Sequence, residues 1–171
     1  KARIDVRADR RMEVCVSTGR DMRFSSEDHH SSTSSVATAA PVRSGMHLWA
    51  RRLGLLNQTP TEKQLPATVF GLEDRDIAIL LGRLWSGDGF IANATQYVPY
   101  YATSSSQLAD DVQLLLLRLG IVSRIAEKQF NYRDTPKTGY TVHILGEGAI
   151  DQFLDRIAPD CVGRDDAIEH L

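Results

Sequence analysis

The sequence holds only two cysteines in 171 residues, Cys15 and Cys161, far apart and outside any CxxC pairing. That scarcity excludes a disulfide framework or a cysteine-built zinc site, and it fits a reducing cytoplasm. Long hydrophobic runs are missing as well: no stretch approaches the roughly 20 apolar residues that span a bilayer. No charged n-region precedes an apolar h-region, so nothing reads as a signal peptide and no membrane partner is expected. An excess of positive charge is also lacking, with 20 Lys and Arg against 22 Asp and Glu and a net charge of −2. A nucleic-acid binder usually carries a basic footprint, so any DNA contact must come from a local surface rather than from the average. The balance is uneven: residues 1–57 hold 10 Lys/Arg against 6 Asp/Glu, and residues 150–171 hold 2 against 6. What is present is a 42% apolar and 25% charged composition, enough for a packed core and contrary to wholesale disorder. The length is that of one domain, or of one domain and a piece of another.

Along the chain, Ile4, Val6, Met12, Val14, Val16, Met22 and Phe24 fall on strand-like spacing, with Ser17-Thr18-Gly19-Arg20 as a turn. This predicts a β-hairpin. Residues 25–45 are rich in Ser, Thr and Ala without periodicity and read as a linker. Met46 to Leu56 has helical spacing, and Pro60 and Pro66 interrupt the chain after it. A helix is expected to start at Glu73-Asp74, where acidic residues suit the positive end of the dipole. "QYVPYYATS" reads as a short strand. "SSSQLADDVQLLLLRLG" reads as a helix with Ser104 and Gln107 as a capping box and Gly120 as its stop. "IVSRIAEKQ" and "GYTVHILG" are expected as strands around the turn-rich "NYRDTPKTG". "AIDQFLDRIA" forms a last helix, and Asp165 starts a short terminal one. The order α, β, α, β, β, α implies an α/β unit with helices packed on one face of a small antiparallel sheet.

The most unusual stretch is "LLGRLWSGDGF", residues 80–90. Gly82 and Ser86 lie four apart, so they share a helix face where small side chains permit close approach of another helix. Gly89 can take the left-handed cap conformation and end the helix just after Asp88. A carboxylate there opposes the helix dipole. If the partner helix is a second copy, two carboxylates meet and call for a cation such as Mg²⁺, which binds one or two carboxylates with water and phosphate. Paired metals can activate water and stabilise the leaving oxygen of a phosphodiester. The other reading of Asp88-Gly89 is a plain polar turn after a core helix.

"LGRLWSGDG", residues 81–89, resembles position for position the nine-residue motif of the LAGLIDADG homing endonucleases. "TSSSQLADDVQLLLLRLGI" (103–121) is similar to the segment that follows the second such motif in intein-borne members, and "EKQLP" (62–66) to the lysine-containing block before it. The similarity covers roughly residues 50–157 and is greatest to inteins of bacterial replicative helicases and DNA polymerase III α subunits. The resemblance implies a LAGLIDADG-type unit whose motif helices pair at a pseudo-twofold axis, with sheets forming a saddle over double-stranded DNA. It implies Asp88 as metal ligand and catalytic residue, with two or more Mg²⁺ per paired site, Lys63 as the catalytic block lysine, and Gly82 and Ser86 as the helix-pair interface. Strand alternation offers Arg124 with Lys128, and Thr141 with His143, as DNA-facing residues or as an ordinary solvated face.

"VSTGRDMRFSSEDHH" is similar to an intein splicing block, with Ser26 and His29 in the places of its Thr-x-x-His pair, or with Asp28 in a shifted register. The implied division is a splicing-type β segment at 1–30, a linker at 31–45 and an endonuclease-like domain at 46–171. Lys1 and His170-Leu171 differ from splice-junction residues, so the chain as given is expected not to splice. One visible motif leaves two expectations open: a homodimer through the motif helix that cuts DNA, or a non-cutting DNA-binding module or structural remnant.

Overall fold

The computed structural model describes residues 3–6, 14–17 and 45–171, which divide into two compact units, Lys1–Leu56 and Asn57–Leu171. In the first, β1 (Arg3–Val6) and β2 (Val14–Ser17) pair antiparallel, Arg3 opposite Ser17 and Val6 opposite Val14. Ser17, expected in a turn, therefore lies in a strand, and Thr18 to Arg20 fall outside the described residues. Helix α1 spans Gly45–Arg52, with Arg51 and Arg52 at its negative end. It is shorter than the sequence spacing suggests because Gly54, at φ +70°, turns the backbone left-handed. The Gly54 and Leu55 amides then close on the carbonyls of Arg51 and Ala50.

The second unit runs α2 (Asp74–Asp88), β3 (Gly89–Phe90), β4 (Tyr100–Thr103), α3 (Ser106–Arg118), β5 (Ser123–Tyr132), β6 (Thr135–Ile144), α4 (Glu147–Arg156) and α5 (Asp165–Glu169). The strands form one antiparallel sheet in the order β3-β4-β6-β5. The α/β expectation holds, with the two-residue β3 added. Ile77, Leu81 and Trp85 of α2, Leu108, Val112 and Leu115 of α3, and Phe153 of α4 are all buried, at the helical spacings that put them on one face. They pack with Tyr101 and Val142 of the sheet; Trp85 is centred 5.6 Å from the Tyr101 ring and 5.4 Å from that of Phe153. Full burial of each such side chain is worth about 1.5–3 kcal/mol, so this cluster fixes α2 against the sheet.

Two local expectations shift by a residue or more. The α3 cap is Ser105, not Ser104: the Ser105 Oγ accepts the Leu108 amide at 3.1 Å. Three consecutive serines offer the same capping chemistry, and burial of Ser105 decides among them. Gly120 ends α3 as expected, with φ +78°, its own amide on the Leu117 carbonyl and that of Ile121 on Leu116. The long turn expected at 131–139 is instead two residues, Arg133 and Asp134, both left-handed at φ 50° and 60°. That is the turn whose twist suits a hairpin, and the register runs unbroken from Ser123 opposite Ile144 to Tyr132 opposite Thr135. Pro136 is tolerated because β6 is flanked by β4 only over Tyr140–His143.

Candidate nucleic-acid interface

Successive residues of a strand point to opposite faces, and here the consequence is sharp. Tyr101, Val142 and Ile144 enter the core. The intervening residues form the other face in cross-strand rows: Phe90, Tyr100, His143 and Arg124 in one, Ala102, Thr141 and Ala126 in the next, then Gly139 opposite Lys128. The Phe90 and Tyr100 rings stack at 5.0 Å, and the Tyr100 ring lies 5.2 Å from that of His143. Thr141 Oγ1 donates to the Ala126 carbonyl at 3.3 Å and lies 3.0 Å from His143 Nε2. Burial first, and then the charges of Lys128 and Arg124, hold the His143 pKa below its usual value. The ring is neutral near pH 7 and presents a polar edge among cations.

An open cleft of about 370 Å³ lies at the end of α2, and Lys63, Asp88, Lys128 and Thr141 all line it, with Tyr101 and Thr103. The fold thus brings four of the sequence-nominated residues together; Arg124 and His143 occupy the row beyond. Asp88 is exposed. Burial, followed by the negative charge of Asp88, pushes the Tyr101 hydroxyl up to about 12, so Tyr101 remains a neutral donor beside the carboxylate. Tyr101 was not singled out in the sequence, where it is one of three tyrosines in "YVPYY" with no periodicity to separate them.

Helix α2 ends differently from expectation. Gly89 is extended at φ −91°, ψ 150°, with its amide on the Trp85 carbonyl. A Cβ there would lie 2.5–2.6 Å from Trp85 atoms, so glycine is required for space, not for a left-handed turn. The Gly82–Ser86 stripe faces the chain itself. A Cβ on Gly82 would stand 2.7 Å from Asp160 Cβ and 2.9 Å from the Ile157 carbonyl oxygen. Ser86 Oγ donates to the Gly82 carbonyl at 2.7 Å and accepts the Val162 amide at 2.7 Å. Arg164 donates to the Ser86 and Gly87 carbonyls at 3.1 and 3.3 Å, a cation placed on the negative helix end. Arg75 pairs with Asp160 at the other end of the same strap. The small residues do permit close approach, and residues 157–164 take it. On the remaining side of α2, Arg83 and Gly87 are exposed while Leu80 and Leu84 are half-buried against the core; a Cβ on Gly87 would meet nothing within 4 Å.

Among the described residues no group of three or more His, Cys, Asp or Glu converges as a metal site. Asp88 supplies one exposed carboxylate. That donor set fits Mg²⁺ only as part of a shell completed by water, phosphate and a second carboxylate. Ser26 and His29 lie outside the described residues. No helix is long and apolar enough to cross a membrane among those described.

Residues 76–158 match the model of the LAGLIDADG-like domain. The chain is also similar to proteins named replicative DNA helicase DnaB. That of Synechocystis sp. is 39% identical over 113 residues, covering 64% of this chain and 13% of the relative. That of Rhodothermus marinus is 39% identical over 113 residues, covering 64% and 12%. That of Nostoc sp. is 33% identical over 120 residues, covering 68% and 13%. The chain therefore spans only 12 to 13% of the length of these relatives.

Proposed function

We propose, from the match of residues 76–158 to the LAGLIDADG-like domain, that this chain is the DNA-facing part of an intein-borne homing endonuclease, acting on double-stranded DNA. The observation that carries the reading is the cleft itself: Lys63, Asp88, Lys128 and Thr141 converge where the motif helix meets the open sheet face. On this reading Arg124 and Lys128 meet backbone phosphates, while Thr141 and neutral His143 reach base edges. Lys63 holds its ammonium toward the phosphate under attack, and Asp88 is the ligand for Mg²⁺. When bound, the ion polarises the phosphate and lowers the pKa of a water.

One carboxylate is half of such a site, so the active form brings a second motif helix to the side of α2 that carries exposed Arg83 and Gly87 and half-buried Leu80 and Leu84, rather than to Gly82 and Ser86. The mass in solution is the first test: Gly87→Glu, at an exposed position with open space, abolishes pairing and leaves the monomer folded. Cleavage is tested on DNA carrying intein-free helicase genes, with Mg²⁺ present. A staggered double-strand break that disappears in Asp88→Asn while binding persists supports the enzyme. Specific binding without cleavage in the native chain supports a non-cutting DNA-binding module, a reading that the single converging carboxylate favours. Failure to bind any DNA overturns both.

A further inference from the structure

The residue that brings a lysine to the cleft is not visible in the motif. Lys63 precedes α2 by eleven residues and belongs to no helix or strand, yet it lines the Asp88 cleft. Two side chains of α3 hold its backbone. Ser105 Oγ donates to the Lys63 carbonyl at 2.6 Å, while accepting the Leu108 amide that it caps. Asp111 Oδ2 accepts the Leu65 amide at 2.8 Å, and its Oδ1 accepts Gln107 Nε2 at 3.0 Å. Ser105 is fully buried and Asp111 is 7% exposed.

We propose that Asp111 and Ser105 are positioning residues that act through Lys63, clamping the peptide groups on either side of Gln64 so that the lysine stays over the Asp88 cleft. This rests on the endonuclease reading above, because only there does the placement of Lys63 matter for a rate. The physical case is the cost of the arrangement. A carboxylate nine-tenths buried is expensive unless its lone pairs are filled. Asp111 fills them with one partner from its own helix and one from a segment 46 residues away. An apolar residue at this buried position of α3 would make no such demand. The acid ties down the 63–65 segment, which belongs to no strand ladder and is otherwise held by the Gln64 amide donating to Gln58 Oε1 at 3.3 Å. The Ser105 hydroxyl makes the same link from the helix end, so the capping of α3 and the seating of Lys63 are one event.

The test is a double-mutant cycle on single-turnover cleavage, with DNA affinity measured in parallel. Asp111→Ala lowers the cleavage rate by about 10- to 100-fold, the cost of misplacing a group by the order of 1 Å, while the Kd for DNA stays within about threefold. Asp111→Asn, whose Oδ1 can still accept the Leu65 amide, recovers most of the rate. In a Lys63→Ala background Asp111→Ala has no further effect. An equal loss in that background overturns the proposal, as does a loss that appears in Kd alone. A second readout needs no DNA target: backbone order parameters at residues 63–65 are those of rigid backbone in the native chain and in Asp111→Asn, and fall below about 0.6 in Asp111→Ala. If the native chain cuts no DNA, the endonuclease reading fails by itself and the order parameters decide the clamp. Rigid values in Asp111→Ala overturn it.

Discussion

The two faces of the four-stranded sheet are built by alternate residues of the same strands, and they differ in almost every property. One face sends Tyr101 and Val142 under the helices, where they pack with Trp85 and Phe153. The other shows Arg124, Lys128, His143 and Tyr100 to a cleft and to solvent. The closed face is held by non-directional burial, so its residues answer for stability. The open face keeps stacked rings and cations with no ion pair among the described residues, which contribute little to folding and on the proposed reading meet a polyanion. Changes on the two faces should therefore be read by different instruments.

Trp85→Ala is the largest blow to the closed face: it removes the ring between Tyr101 and Phe153 and costs about 3–5 kcal/mol in chemical denaturation. DNA affinity per folded molecule does not change. The opposite pattern is expected for Asp88→Asn, where cleavage falls by about a hundredfold or more, equivalent to about 2.7 kcal/mol of barrier, and stability moves by less than about 0.5 kcal/mol. If Asp88→Asn instead destabilises the fold by as much as Trp85→Ala, the separation of the two faces breaks down.

Gly82→Ala sharpens the comparison along α2. In an isolated helix the change would gain about 1 kcal/mol. Here the new Cβ meets Asp160 and the backbone of residues 157–160, so a net loss of about 1–3 kcal/mol is expected in urea titrations. A gain would mean that the strap does not seat on α2. Smaller again, Lys128→Ala or Arg124→Ala weakens DNA binding across all sequences and reduces the salt slope of log K by about 1 each.

The smallest effect belongs to His143, whose folded pKa lies below the ordinary 6.5. Between those two values the unfolded chain binds more protons than the folded one, so stability rises with pH through that window and levels off above it. His143→Gln flattens the acid side of a plot of Tm against pH without altering the plateau. A profile equally steep in His143→Gln would assign the dependence to another group.

Much of this molecule was legible before any coordinates. The helical spacings of α2, α3 and α4 and the Gly120 stop follow from local periodicity and backbone chemistry, and so does the alternation that puts Arg124 and Lys128 on one face. These depend on residues within a turn or two of each other, and local sequence carries them. The misread details were local as well, but degenerate. Any of Ser104 to Ser106 can cap a helix, and "NYRDTPKTG" contains several possible turns, of which only Arg133-Asp134 lets both strands keep ten residues.

What the tertiary structure alone decided is of another kind. That Gly89 is small to clear Trp85, that Gly82 and Ser86 are covered by residues 157–164, and that Lys63 is tied to α3 by Ser105 and Asp111 are all contacts across 4 to 78 residues. The long ones among them leave no period in the sequence, because the chain between the partners is free to be anything that folds. The sequence by itself determined the elements, the motif at the end of α2 and the chemistry of its residues. Only packing decided which face of that helix is closed and which side chains stand around Asp88, since the energy that selects them comes from burial and hydrogen bonds between segments that meet only when the core forms.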